Sequence, residues 1–552
     1  MRRAKAPRWL APPDLWVSAA IAVLACALSA PSAARVVQLS PDMVEYVDVA
    51  RRLVGGQGYV LGIKAYHLGG PEVIQDGLIH RTPLFTLIMA ALLRLGFDLY
   101  AVQVVNAAFG ALSAALVYAI GARLAGRTVG VAAGLLAAAS PVGLAQQVQI
   151  QSDALSTALT LAGVLAVMLA AERGRLALAV MSGLFFGLGY LARPPVIVVG
   201  LAVLVLLPVL APNRADARRL MLGLAGGMAA ICLPVTAFSL VTRGRLSYSG
   251  KGYLYGVVSD ADVMENGYVS MPLSPVAFVM GNPGFVVSAI GSVTGLYLRS
   301  IFLEREWLAP LMAGWPGAVM ALLGGRYPWT SGIVVTAACA NFVFYALTWS
   351  SWQDRFMLTT VYLLLPFVVD GLLRTIVLVA SRLLGAVSSA GAQRRISVAV
   401  LGVAVAAVMA AWSPRFLEQY QGQFTYGERP VGTRVTDGVR WSGPPRWVND
   451  GNLDDAVEWI RGQTTPDTVL ALGQPWPYTF FTGRPSVLLP YRLTDERLRD
   501  FLVEYRVSYV LYDPRDPQRR EYGDQLRDLS SDGVRASRLK NLQVFDTRAL
   551  WR

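Results

Sequence analysis

Cysteine, histidine and charge are all scarce in this sequence. The three cysteines, Cys26, Cys232 and Cys339, each stand inside an apolar run. That placement makes them core residues and excludes a disulfide framework or a thiolate metal site. The chain can therefore face an oxidising compartment without disulfides. The two histidines, His67 and His80, carry no metal-ligand spacing around them. Charged residues make up 15% of the 552, where a soluble chain would carry roughly a quarter. There is no Walker loop, no HExxH and no GxSxG with a partner histidine, so ATP-driven transport and serine-hydrolase chemistry have no support.

Long apolar runs take the place of charge. Hydrophobic residues are 54% of the chain, and runs of roughly 17–25 residues, enough to cross a bilayer, recur along it. Spans are expected near residues 15–36, 103–122, 129–147, 153–171, 176–192, 195–211, 219–241, 308–324, 329–348, 356–378 and 396–413. The fold class is thus a polytopic α-helical membrane protein of about eleven transmembrane helices with juxtamembrane helices. A net charge of +13 would suggest nucleic acid in a soluble protein. Here the positive-inside rule accounts for it, and no basic stripe marks a nucleic-acid site.

Met1-Arg2-Arg3-Ala4-Lys5 and the apolar stretch to Pro31-Ser32-Ala33-Ala34 have the layout of a signal peptide. Further spans follow, so the segment reads as an uncleaved signal anchor with a cytoplasmic N-terminus. Alternation then puts Arg123/Arg127, Arg173/Arg175, Arg214/Arg218/Arg219, Arg326 and Arg382/Arg394/Arg395 inside. An odd span count leaves the C-terminal part outside, in the cell (inner or plasma) membrane setting. Leu84–Leu95 is too short to span, and a span at Phe285–Phe302 would break the charge alternation; both read as interfacial helices. Gly183 and Gly187 form a GxxxG that signals close helix packing.

Residues 1–413 thus read as the transmembrane domain, with long outer loops at about 37–102 and 242–307. Residues 414–552 read as a small soluble α/β domain. Helices are expected at Asp454–Arg461 and Asp495–Arg506, and strands at Thr468–Leu472, Ser486–Leu489, Val507–Tyr512 and Leu542–Asp546.

The first outer loop is the richest in chemistry. Ser40 is a good N-cap and Pro41 a good first helical residue. Tyr46, Val49, Ala50 and Leu53 make one apolar stripe, and Asp48, Arg51 and Arg52 the opposite, wet face. Asp42 and Glu45 extend the apolar stripe, away from water. Asp42 would also favour the helix dipole from the first turn, and the residues alone leave the two roles open. Asp153 opens a span after Ser152 and is a functional candidate as an ionisable group at a membrane edge, or else a helix N-terminal charge. Arg81, after His80 and before Thr82-Pro83, joins Arg193 and Arg355 at the outer ends of helices. Each arginine snorkels or, with the others, surrounds an anionic lipid phosphate. Asp42 with the two histidines leaves a divalent metal as an option, and no other cofactor is called for.

These segments, taken in order, resemble the GT-C superfamily of polytopic glycosyltransferases. The similarity extends to protein O-mannosyltransferases, the aminoarabinose transferase that modifies lipid A, and related bacterial dolichyl-phosphate-mannose-type enzymes. It rests on Asp42, Tyr46 and Gly56–Tyr59, on Arg81-Thr82-Pro83-Leu84, and on Arg123-Leu124-Ala125-Gly126-Arg127. It continues through Ser140-Pro141, Asp153, Gly183 to Arg193-Pro194, and Asp354-Arg355-Phe356 to Pro366. Pro475-Trp476, Thr482-Gly483-Arg484 and Leu489-Pro490 resemble the outer domain of bacterial members.

The resemblance implies an inverting transfer from a polyprenyl-phosphate sugar donor to an acceptor hydroxyl on a glycan, lipid or protein, at the outer face. Asp42 would be the general base, with Glu45 and Asp153 as further catalytic acids. Arg81, Arg193 and Arg355 would hold the donor phosphate, and Tyr46, Tyr59 and His80 would contact substrate. The chain departs from the family at Met43, where many members have a second acid; Glu45 is the residue that would substitute. A flippase of lipid-linked saccharides is the alternative, but the mid-membrane polar path and inverted repeats it needs are not seen. A non-catalytic assembly partner or sensor would leave the acid-bearing loop unexplained.

Overall fold

The structure is a computed structural model. It describes residues 12–33, 37–64, 71–210, 213–244, 280–281, 283–304, 307–325, 327–348, 353–384, 389–425, 439–441, 452–490, 493–516, 521–539 and 541–552. His67, Arg326 and most of the second expected outer loop fall outside these residues. The chain forms two compact units that do not follow chain order. One comprises Met1–Ala34, Gln103–Tyr248 and Val287–Gln423; the other comprises Arg35–Val102, Ser249–Val286 and Phe424–Arg552.

The first unit is helical. Among the described residues, seven helices are long and apolar enough to cross a membrane, and a bent pair makes up to eight. The seven are Leu99–Ala125, Asp153–Arg173, Ala215–Thr242, Val286–Leu303, Ser331–Thr348, Arg355–Leu383 and Gly391–Pro414. Asp14–Ala30, Leu176–Ala192, Pro195–Leu210 and Ala309–Leu323 are apolar but shorter, within 10–17 residues. Charge alternation argued for an interfacial helix at 285–302, yet Pro283–Leu303 is a helix of 21 residues with the length and hydropathy of a span. Its one basic residue in the apolar stretch, Arg299, stands near the C-terminal end and leaves the run long enough.

The expected span at 129–147 is two helices, Arg127–Ala139 and Pro141–Gln147, bent by 58°. Pro141 has no N–H to continue the ladder, and the Ser140 hydroxyl instead accepts from the Gly143 N–H at 3.3 Å. The Tyr362 hydroxyl donates to the Ala137 carbonyl at 2.9 Å, satisfying an acceptor freed by the break.

Apolar side chains gain little by exchanging lipid for a neighbouring helix, so close packing holds such helices together. Glycines provide it. Gly183 and Gly227 face each other, each so near the opposite backbone that a Cβ would collide with it. Gly187 lies against Ile231, and Gly371 against Gly314 and Gly317 in the same manner. Polar clips tie the helices together. Arg127 pairs with Asp14 at 2.7 Å, Arg123 with Glu172 at 2.9 Å, and Tyr327 donates to Asp370 at 2.7 Å.

The second unit is built on a six-stranded mixed sheet. Its strand order is Ile63–Lys64, Ser486–Leu488, Leu470–Leu472, Tyr509–Tyr512, Leu542–Asp546, Arg535–Leu539. The first four strands are mutually parallel and the last two pair antiparallel. Parallel strands are buried on both faces, so the runs Leu470–Leu472 and Ser486–Leu488 are wholly buried. Helices Asn452–Gln463, Pro475–Thr482, Asp495–Glu504 and Tyr522–Asp528 accompany the sheet. Val487, Leu498, Phe501 and Phe545 are fully buried in its core; each contributes about 1.5–3 kcal/mol.

The edge strand Ile63–Lys64 comes from the segment before the second apolar helix, more than 400 positions from its partner Ser486–Val487. Neither that strand nor the helix Pro475–Thr482 shows in the periodicity of the sequence. Two residues are too short for a strand pattern, and the two prolines in Pro475-Trp476-Pro477 read as a loop.

Candidate active site

Two groups of the expected site residues form within the chain, one in each unit. The first begins at the helix Pro41–Val54. Ser40 is extended before it, with φ −129° and ψ 169°, and Pro41 is its first residue. The fixed φ of Pro41 starts the helix at this point, which puts Asp42 in its first turn and Glu45 one turn further along. A second helix, Pro83–Arg94, starts the same way after Thr82. Arg81 just before it is held by its own backbone surroundings. The Tyr59 hydroxyl lies 3.2 Å from the Arg81 carbonyl and 3.1 Å from that of Thr82.

The Arg81 side chain reaches both acids. Its Nη2 is 2.5 Å from Asp42 Oδ1 and 2.7 Å from Glu45 Oε2. The guanidinium also lies 5.2 Å from the centre of the Tyr46 ring. Tyr46 packs edge-on against Phe85 and shares a hydrogen bond of 3.1 Å with the Thr82 hydroxyl. The Trp476 indole N–H donates to Glu45 Oε1 at 3.0 Å. Burial works against the Arg81 charge, but the carboxylates of Asp42 and Glu45 outweigh it and hold the guanidinium above its ordinary pKa. One cation between two anions leaves the group with a net negative charge. The Asp42 side chain is 29% exposed and that of Glu45 2%, so Asp42 is the carboxylate a ligand can reach. Arg81, expected at a donor phosphate, is engaged here by two carboxylates. His80 is buried beside it.

The helix Pro41–Val54 corrects one expectation. Asp48 and Arg52, read as a wet face, are both buried. Asp48 Oδ2 accepts from Arg52 Nε at 2.9 Å and from the Gly62 N–H at 2.7 Å. Arg52 continues to Gln57 at 3.0 Å and to the Gly483 carbonyl at 3.3 Å. Arg51 donates to the Phe480 carbonyl at 2.7 Å and lies over the Phe480 ring at 4.4 Å. Asp48 and Arg52 are satisfied by each other, by Gln57 and by backbone groups rather than by water, while Arg51 stays exposed.

The second group lies among the helices. Asp153 opens the helix Asp153–Arg173 and is 3% exposed. Arg193, at the C-terminal cap of Leu176–Ala192, forms an ion pair with it. Tyr345 and Phe356 stack with ring planes 6° apart and centres 4.5 Å apart. Arg193 lies 4.8 Å from the Phe356 centroid and Arg355 lies 5.2 Å from it, so one ring gathers both guanidinium groups. Arg355 donates to Gln151 at 2.5 Å and to Gln353 at 2.7 Å, both neutral. Two arginines and one acid leave this group net positive.

Its neighbours include polar residues that patterning missed. Asn106 Nδ2 donates to the carbonyls of Gln146 at 3.1 Å and Gln149 at 2.5 Å, tying down the loop that leads to Asp153. Asn106 Oδ1, Gln146 Oε1 and the Gln147 amide are buried with no hydrogen-bond partner among the described residues. The run of four glutamines from 146 to 151 is the signal that could have pointed to them.

Among the described residues, no cluster of three His, Cys, Asp or Glu could hold a metal ion. Asp42 and Glu45 converge on a guanidinium, which takes the place a cation would need.

Residues 80–239 match the sequence profile of the family described as dolichyl-phosphate-mannose-protein mannosyltransferase. No curated protein matches the chain significantly in sequence. Among solved structures, ArnT from Cupriavidus metallidurans bound to undecaprenyl phosphate is similar with a TM-score of 0.58 at 14% identity, over 97% of this chain and 99% of that one. The oligosaccharyltransferase AglB from Archaeoglobus fulgidus, with an inhibitory peptide and a dolichol-phosphate, gives 0.55 at 13% identity, over 95% and 72%. The chain carries the GT-C fold. The mycobacterial arabinofuranosyltransferase AftD is similar at a TM-score of 0.50 and 14% identity, over 96% of this chain and 40% of that one. Within this GT-C fold, the stretch that matches the mannosyltransferase profile contains Arg81, Asp153 and Arg193. Asp42, Glu45 and Arg355 lie outside that stretch.

Proposed function

We propose that the chain is an inverting glycosyltransferase that moves a sugar from a polyprenyl-phosphate donor to an acceptor hydroxyl at the outer face of the membrane. The observation that carries this reading is the state of Asp42, a part-exposed carboxylate paired with a buried arginine beside a fully buried second acid. Arg81 fixes it in place with one side left open to the acceptor. In the proposed step the acceptor O–H gives its proton to Asp42. Its oxygen attacks the anomeric carbon as the bond from that carbon to the phosphate oxygen breaks, and polyprenyl phosphate leaves. A base so placed accelerates transfer by about 10²–10⁴-fold.

Arg193 and Arg355, gathered on Phe356, would meet the charge that develops on the leaving phosphate. Asp153 would fix Arg193 through their ion pair. Tyr46, Tyr59 and His80 would line the approach to Asp42, and residues 414–552 would help recognise the acceptor. We assign the chain about eleven spans, a cytoplasmic N-terminus and an outer C-terminal part in the cell membrane. ArnT with undecaprenyl phosphate and AglB with dolichol-phosphate support a lipid-phosphate donor. Flipping of an intact lipid-linked saccharide is not favoured, since fold relatives include an oligosaccharyltransferase and an arabinofuranosyltransferase.

The test is transfer of radiolabelled sugar from a panel of short-chain polyprenyl-phosphate sugars, in membranes carrying wild type or Asp42→Asn. Wild type should transfer from at least one donor, and Asp42→Asn should lose about 10²–10⁴-fold in rate. Equal rates would remove Asp42 from the mechanism, and no transfer from any donor would count against the enzyme reading.

A further inference from the structure

A pocket that shares no residue with either group above opens in the sheet-bearing unit. Its volume is about 430 Å³, within the range of roughly 300–1,000 Å³ typical of small-molecule sites. Arg506, Arg548, Arg552, Tyr509, Trp551 and Thr464 are among its walls. The three arginines are not equivalent. Arg548 is neutralised by a two-pronged pair with Asp546, at 2.9 and 2.5 Å, and lies 4.9 Å from the centre of the Tyr509 ring. The guanidinium groups of Arg506 and Arg552 have no partner among the described residues. The Trp551 indole N–H is committed to the Val507 carbonyl at 2.6 Å, so this residue offers a ligand its ring rather than a donor.

The backbone marks the same place independently. Arg506 follows the helix Asp495–Glu504 with φ +47°, the only positive φ at a non-glycine among the described residues. Its N–H bonds to the Val503 carbonyl at 3.1 Å, and the Val507 N–H bonds to the Leu502 carbonyl at 2.9 Å. That pattern closes a helix with a left-handed residue, a position glycine fills without strain. Here an arginine fills it and lines the pocket. Residues held in such conformations cluster at ligand sites, where the fold sets a side chain that local preference would not.

We propose that this pocket binds a single anionic sugar unit, one bearing a carboxylate or a phosphate. Arg506 and Arg552 take the charge, and the Trp551 ring lies along the apolar face of the sugar. The site is a holding site rather than a catalytic one, and it stands or falls separately from the role of Asp42.

Saturation-transfer NMR on the full chain in detergent tests it with glucuronic acid, glucose 6-phosphate, glucose and inorganic phosphate as probes. Both charged sugars should bind, with glucose and inorganic phosphate weaker by about tenfold or more. Arg506→Gly removes the guanidinium and suits the left-handed backbone, so it should leave the melting temperature unchanged or raised while weakening charged-sugar binding by about tenfold. Arg552→Gln should weaken binding similarly, and Asp42→Asn should leave it unchanged. Glucose binding as tightly as glucuronic acid would overturn the proposal. So would phosphate matching glucose 6-phosphate, unchanged binding by Arg506→Gly, or binding of no probe by wild type.

Discussion

At the scale of single residues, the arrangement around Arg81 divides labour between two acids of the same charge. Glu45 has one oxygen on Arg81 and the other on the Trp476 indole, and it is closed off from solvent. Asp42 shares Arg81 but keeps an open side. The difference follows from helix position, since one turn carries a side chain from the exposed end of a helix into its packed middle. A consequence is that Trp476 acts through Glu45. Trp476→Phe keeps the apolar bulk and removes the donor, leaving a buried carboxylate oxygen unmatched. We expect a loss of about 1–3 kcal/mol in stability, measured as a lowered unfolding midpoint in urea. A midpoint equal to wild type would show that the indole hydrogen bond contributes nothing.

At the scale of elements, the helix Pro41–Val54 is anchored through its polar face. Asp48 is buried, and burial drives its pKa up while Arg52 and the Gly62 N–H oppose the shift. The ion pair and its backbone partners must therefore stay intact together. Asp48→Ala strands Arg52 in the interior and should cost about 3–5 kcal/mol. The double variant Asp48→Ala/Arg52→Met removes both charges and should recover most of that loss. Thermal unfolding of the two variants checks this, and a double variant as unstable as the single would show that the loss is one of packing and not of stranded charge. Helical periodicity placed Asp48, Arg51 and Arg52 together on one face, and the structure agrees with that much. Periodicity reports which residues share a face, not what covers it. The cover is Gly62 and the carbonyls of Phe480 and Gly483, the latter two more than 400 positions away.

At the scale of the whole molecule, the proposed orientation rests on basic residues between apolar helices, and it is testable without any substrate. Ser531 is exposed in the sheet-bearing unit. With the three native cysteines replaced, Ser531→Cys should react with a membrane-impermeant maleimide on intact cells from the outside. Arg175→Cys, in the turn between two apolar helices, should react only after the membrane is opened. Labelling of Ser531→Cys only after opening would reverse the assignment. The spanning-length helix Pro283–Leu303 makes this test worthwhile, because a further crossing there would change the side on which everything after it lies.

The sequence by itself determined the membrane character, the starts of the helices that present Asp42 and Arg81, and the close contacts at Gly183 and Gly187. Each of these depends on composition, on a proline or on a glycine, and so on residues near one another in the chain. Only the tertiary structure decided that Arg81 is shared by Asp42 and Glu45, that Trp476 reaches Glu45, that Ile63–Lys64 completes a sheet, and that Arg193 and Arg355 meet on Phe356. These contacts join segments tens to hundreds of residues apart. No local propensity encodes which distant partner will satisfy a buried charge or an open strand edge, and packing alone settles it.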